Sequence, residues 1–255
     1  MWTAPTTLIA PGPPPPLADK FLRNGNADMQ DLFGADATDI YRPGAFTKYA
    51  DIVGDVAGNH LVKGLGVGMN YPVAYTGLPN DPMGMSISGA NYMKGSQAPH
   101  EIGTGPLAAF FGFSRTTVTH LNASFGKADL SGVNGYVLSY EVSNQCVWML
   151  RTSTTFLRLY FTVPPSATRV GVLCWRSVAS GRMGVTPSWQ SDVSQVDTTA
   201  GQSVTATGGV SLGQTGAREC NAENIAFLAI CEGAEAEKAI VNRVAGVTAW
   251  AALPE

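Results

Sequence analysis

The chain of 255 residues is 45% hydrophobic but only 14% charged, with a formal net charge of −3. Ordinary apolar content with little charge excludes a solvated, intrinsically disordered chain. The small negative balance gives no electrostatic drive toward nucleic acid. There is no Gly-X-Y period and no apolar run approaching roughly 20 residues, which excludes a collagen-like chain and predicts no membrane-spanning helix.

The N-terminus, Met1-Trp2-Thr3-Ala4-Pro5, has neither a basic region nor an apolar core, so no secretory signal is expected. Pro13, Pro14, Pro15 and Pro16 favour polyproline II, a conformation without internal hydrogen bonds that links segments or docks on a partner. A short helix is predicted within Asp28–Tyr49. Met29, Leu32 and Phe33 fall at i, i+3 and i+4, Asp28 and Asp31 suit a first turn, and Gly34 is a stop. Gly and Pro supply 26 of the first 105 residues, against 19 of the remaining 150. Residues 1–105 therefore read as a long, largely irregular arm, and residues 106–255 as a separate β domain. A structureless stretch of that length is unusual inside a compact domain. It is expected to bury Pro13–Pro16, Phe33, Tyr41 and Phe46 against neighbouring subunits.

The second part alternates with period two. Leu157, Leu159, Phe161 and Val163 share one strand face; Phe156, Arg158, Tyr160 and Thr162 share the other. Pro164-Pro165-Ser166-Ala167 reads as a turn, and Arg169–Trp175 as the return strand of a hairpin. Further strands are predicted at Tyr136–Val142, Cys146–Thr152, Ser203–Leu212, Asn224–Glu232 and Ile240–Trp250, although Ala234–Val244 also fits a helical stripe. The fold class expected is mainly β, an antiparallel sandwich or jelly roll behind a Gly/Pro-rich N-terminal arm.

No catalytic signature emerges, and no enzyme activity is expected. Gly64-Leu65-Gly66-Val67-Gly68 lacks the spacing and the following helix of a dinucleotide loop. His60, His100 and His120 are the histidines available as bases, and no Ser lies in a nucleophile elbow. Asp28, Asp31, Asp36 and Asp39 do not fit a calcium loop. Glu219, Glu223 and Glu232 are the nearest acidic cluster in the β part. Cys146, Cys174, Cys220 and Cys231 form no metal-type pair and read as buried, reduced thiols. No metal and no cofactor are expected. Of the tryptophans, Trp148 and Trp175 lie on strands and read as core. Trp189, in Pro187-Ser188-Trp189-Gln190-Ser191, reads as a loop residue and is the candidate glycan contact.

Phe161-Thr162-Val163-Pro164-Pro165-Ser166-Ala167-Thr168-Arg169-Val170-Gly171-Val172 resembles a pattern common in bacteriophage structural proteins. There an aromatic-x-Val-Pro-small-x-Thr-x-Val hairpin opens a β domain of a tail, fibre or head-decoration protein. The resemblance implies a non-enzymatic virion component made in the host cytoplasm, a homo-oligomer whose arm docks on copies of itself and on other virion proteins. A carbohydrate- or receptor-binding β-sandwich, with a host glycan as partner, is the alternative. A glycan-processing enzyme is the third reading.

Overall fold

The computed structural model describes residues 25–41, 62–63, 73–74, 85–87, 93–94, 100–115, 125–128, 134–141, 145–162, 167–206, 209–212, 214–215, 218–219 and 222–252. In chain order these form helix α1 (Gly25–Phe33), then strands β1 (Asp39–Tyr41), β2 (Val62–Lys63), β3 (Val73–Ala74), β4 (Met85–Ile87), β5 (Met93–Lys94) and β6 (Leu107–Arg115). They continue with β7 (Phe125–Ala128), β8 (Gly135–Glu141), β9 (Gln145–Arg151), β10 (Phe156–Thr162), β11 (Ala167–Ser177), β12 (Arg182–Pro187) and β13 (Val193–Val196). β14 (Val210–Leu212), β15 (Gln214–Thr215), β16 (Arg218–Glu219), β17 (Ala222–Glu232), α2 (Gly233–Val241) and α3 (Arg243–Ala251) complete the order.

Two antiparallel sheets make a sandwich, as the alternation predicts. The back sheet runs β13-β12-β11-β6-β17-β4-β3, with β1 also on β17; the front sheet runs β10-β9-β8-β7-β14-β5-β2. Between them lies the main core, with Leu107, Phe111, Val172, Cys174 and Ile230 from behind and Phe125, Leu138, Trp148, Leu159 and Phe161 from the front. A second core lies on the other face of the back sheet, where α1, α2 and α3 bury Phe33, Ala236, Ile240 and Trp250 against Phe110, Leu173, Trp175 and Cys231. Helices, back sheet and front sheet therefore stack as three layers.

This stacking explains the sequence texture. β6, β11 and β17 are covered on both faces, so Leu107–Phe111, Val170–Trp175 and Leu228–Cys231 read as unbroken apolar runs. β10 is covered on one face, so it alternates strictly between exposed and buried positions along Arg158–Thr162. No helix among the described residues is long and apolar enough to cross a membrane.

Three expectations are corrected. Phe156–Thr162 and Ala167–Ser177 are not a hairpin: β10 pairs β9 in the front sheet, while β11 pairs β6 and β12 in the back sheet. The two strands belong to different layers, so the strand-turn-strand likeness to phage proteins does not extend to the pairing. Ile240–Trp250 is helical, because its apolar residues at helical spacing seat on the back sheet. Phe33 is not a contact held out for another subunit. It is fully buried in its own chain, its ring centroid 5.1 Å from that of Phe110.

The predicted helix is present as α1, and Gly34 ends it at φ +64°, the left-handed conformation that favours glycine. Asn242, between α2 and α3, donates from Nδ2 to the Phe33 carbonyl at 2.8 Å and so ties that helix end to the other two. Tyr41 ends β1 in register with Leu228. Pro13, Pro14, Pro15, Pro16 and Phe46 lie outside the described residues.

Candidate functional site

The described helices pack behind the back sheet, so none of them covers the outer face of the front sheet. Edge strand β10 presents Phe156, Arg158, Tyr160 and Thr162 there, all exposed. Phe156 is 39% and Tyr160 41% exposed. Pairing with β9 sets Arg151, Met149, Val147 and Gln145 opposite them in that order. Val137, Val147 and Met149 share that outer face and form a small buried apolar cluster beside the row.

Charge and aromatic surface meet in this row. The Arg158 guanidinium lies 4.3 Å from the Phe156 ring centroid and that of Arg151 lies 5.0 Å from it. Each such cation–ring contact is worth about 0.5–1 kcal/mol at an exposed site, enough to bias the guanidinium's position. Arg158 also donates from Nη1 to the Tyr160 hydroxyl at 3.4 Å.

The outer edge of β10 is held by the β12–β13 hairpin. Trp189 donates from its indole nitrogen to the Thr162 carbonyl at 3.2 Å, Gln190 accepts from the Thr162 amide at 3.2 Å, and Gln195 donates to the Arg158 carbonyl at 3.1 Å. These bonds occupy backbone groups that an edge strand otherwise offers to another chain. Trp189 is thus not an open platform. It is half-buried, with its ring centroid 6.1 Å from that of Phe161, and it braces the end of the row. Among the described residues the exposed aromatics are Phe156 and Tyr160, on the strand whose end Trp189 braces.

A second constellation joins residues far apart in the chain. His100, at φ +65°, is the one non-glycine residue with positive φ among the described residues. Its Nε2 lies 3.0 Å from Asp39 Oδ2 and its Nδ1 2.8 Å from Glu232 Oε1, with the imidazole and the Asp39 side chain fully buried. Burial opposes the charged ring, but the hydrogen bonds and charges of Asp39 and Glu232 outweigh it and raise the His100 pKa above 6.5. Here two carboxylates converge, yet the imidazole occupies the gap between them. The triad ties β1 and the end of β17 to the segment entering β6.

The sign of its pH dependence follows from that direction. A group whose folded pKa is raised contributes stability that is complete below the unfolded value and declines as pH rises through the folded value. Relative to His100→Gln, the wild type is therefore expected to hold its largest urea-midpoint advantage near pH 6. That advantage should shrink toward pH 9, and a gap constant across the range would contradict the assignment.

Other candidates separate. The residues of Gly64-Leu65-Gly66-Val67-Gly68, with His60, His120 and Cys220, lie outside the described residues, as do the side chains of Glu219 and Glu223. Cys146, Cys174 and Cys231 are buried. Burial, with Cys146 nearby, pushes the Cys174 thiol well up, and burial followed by nearby acids pushes Cys231 to about 12. Such thiols are poor nucleophiles. Among the described residues no cluster of His, Cys, Asp or Glu has the arrangement to hold a metal ion. Trp148, Trp175 and Trp250 are core residues, as expected for Trp148 and Trp175.

No family model and no curated protein matches the chain. Among solved structures it is similar to domain 4 of an extracellular arabinanase from Geobacillus stearothermophilus, in complex with arabinotriose. The TM-score is 0.56 at 12% identity, covering 83% of this chain and 98% of that one. The CBM40 domain of a Ruminococcus gnavus sialidase, bound to α2,3-sialyllactose, aligns with TM-score 0.46 at 9% identity, covering 62% of this chain and 96% of that one. The binding domain of botulinum neurotoxin DC, in complex with rat synaptotagmin II, aligns with TM-score 0.49 at 10% identity, covering 83% of this chain and 52% of that one. The arabinanase likeness shows a shared β-sandwich fold, and that domain is no virus-particle component; the expectation of a virion structural protein is corrected on that finding.

Proposed function

We propose that the chain is a carbohydrate-binding β-sandwich module and that the β10 row of the front sheet is its binding face. The observation that carries this is the pair of exposed rings, Phe156 and Tyr160, two strand turns apart on one face and flanked by Arg151 and Arg158. Aromatic rings present flat apolar surface to the C–H faces of a sugar, and neighbouring polar groups fix its orientation. The sandwich shared with an arabinanase domain supports the reading. Thr162 and Gln190, joined by a short hydroxyl–amide contact, extend the polar side of the row. The module binds without turnover in this proposal, because the converging carboxylates Asp39 and Glu232 are separated by His100 and set apart from the row.

Tyr160→Ala is the direct test. Truncating an aromatic anchor typically costs about 2 kcal/mol of binding, or roughly thirtyfold in Kd. Exposed substitutions away from buried networks usually change stability by no more than about 0.5 kcal/mol. Glycan-array binding that falls with Tyr160→Ala and Phe156→Ala, at an unchanged melting temperature, is the expected result. Full binding by the double variant, or an array without a single ligand, would refute the proposal.

A further inference from the structure

We infer that the β10 row takes an anionic saccharide, one bearing a carboxylate or a sulfate, and that Arg158 recognises the charge. This rests on the carbohydrate-binding reading and names the ligand class for the same face.

The charges in the described part of the molecule are unevenly committed. Lys127 pairs with Glu101 at 3.1 Å, Arg176 with Asp197 at 2.7 Å, Lys238 with Glu235 at 2.6 Å and Arg243 with Asp192 at 2.8 Å. Glu237 accepts from the backbone amides of Val178 and Ala179 and from the Ser177 hydroxyl. Arg158 differs from these bases. Among the described residues its side chain meets no carboxylate; it meets the Phe156 ring and the Tyr160 hydroxyl.

Contact with a ring orients a guanidinium without neutralising it. Of its five N–H donors, one is engaged by Tyr160. The rest match a carboxylate or sulfate, which guanidinium binds through two parallel hydrogen bonds. Arg151, directly opposite Phe156, adds a second positive charge at the same end of the row. The acidic register position on these strands, Glu141, lies level with Gln145 and Thr162 rather than with Arg158. The chain as a whole carries −3, so general electrostatic attraction does not draw an anion in, and the local arginines must supply it.

The ligand therefore needs two features within one residue or two: a ring face for Tyr160 or Phe156, and an anionic substituent for Arg158. A uronic acid, another carboxylated sugar and a sulfated sugar all satisfy this chemistry. A neutral glycan satisfies half of it.

The test is an array of carboxylated and sulfated oligosaccharides beside their neutral counterparts, the methyl esters and the desulfated forms. It is probed with wild type and Arg158→Gln at about 50 and about 500 mM salt, where the screening length falls severalfold. Wild type is expected to bind an anionic form at least about tenfold more tightly than its neutral counterpart, with the advantage reduced at high salt. Arg158→Gln should lose about tenfold on the anionic form and little on the neutral one, which separates loss of charge recognition from disturbance of Tyr160. The winning spots distinguish carboxylate from sulfate. Equal binding of neutral and anionic forms, or an Arg158→Gln variant indistinguishable from wild type, overturns this inference while leaving the carbohydrate-binding proposal intact. Binding to no glycan overturns both.

Discussion

Replacing Arg176 with alanine is expected to destabilise the fold by about 3–5 kcal/mol, the cost typical of breaking a buried ion pair from one side. That is a large share of a domain's total stability. Arg176 lies in β11 with its side chain fully buried. Its Nε donates to Asp197 Oδ2 at 2.7 Å, Nη1 donates to the Gly103 carbonyl at 3.0 Å, and Nη2 donates to the Thr199 carbonyl at 2.9 Å. Weaker contacts reach the carbonyls of Gly105 and Gln202, each at 3.4 Å. One guanidinium thus anchors the segment entering β6 and the turns after β13. Truncation leaves Asp197, itself 4% exposed, without its cation, and removes donors from several carbonyls at once. Arg176→Lys should recover only part of the loss, since an ammonium offers a point charge in place of a planar fork. Urea unfolding measures this. Asp197→Asn should also cost less in the Arg176→Ala background than in the wild type, because the two residues share one interaction. A loss below about 1 kcal/mol for Arg176→Ala would contradict the anchoring role.

How much of this was legible in the sequence depends on how local the cause is. The period of two in Phe156–Val163 reflects a strand with one covered face, so both its buried and its exposed sets are readable directly. The exposed set includes the rings that form the candidate site, but a search confined to tryptophan passes over Phe156 and Tyr160. Arginine interleaved with aromatics on a strand's outward positions was the signal available. The change of sheet between β10 and β11 leaves no local trace, because a Pro-rich stretch between two strands reads the same in sequence whether or not those strands share a sheet. Composition also misleads about Phe33. The Gly- and Pro-rich surroundings suggest an arm, whereas its spacing with Met29 and Leu32 already marks a face that needs burial, and the back sheet supplies it. Val244, Val247 and Thr248 favour strands intrinsically, yet the stretch from Arg243 is helical because its packing surface is the back sheet. Asp39, His100 and Glu232 meet only through tertiary structure and form no motif along the chain.

That helix carries the other large effect. Trp250→Ala is expected to cost about 3–5 kcal/mol, the range for deleting a buried large aromatic. The indole is 2% exposed, donates to the Val170 carbonyl at 3.1 Å, and meets Phe110 edge-on with ring centroids 5.4 Å apart. It fits because of two glycines. Gly112 and Gly171 are direct partners across β6 and β11, and together they leave a notch in the back sheet. A Cβ at Gly112 would lie 2.5 Å from Cζ2 of the indole, and one at Gly171 would lie 2.8 Å from Cδ1, both too close for real atoms. Gly112→Ala should therefore destabilise by overpacking, typically about 1–3 kcal/mol. Combined with Trp250→Ala, it should cost less than the sum, since the added methyl enters volume the indole has vacated. Strict additivity would mean that notch and indole are not complementary. The notch lies in the back sheet and the β10 row on the far face of the front sheet. Trp250→Ala should consequently lower the melting temperature while leaving glycan affinity unchanged wherever the variant remains folded, which separates what holds this sandwich together from what it binds.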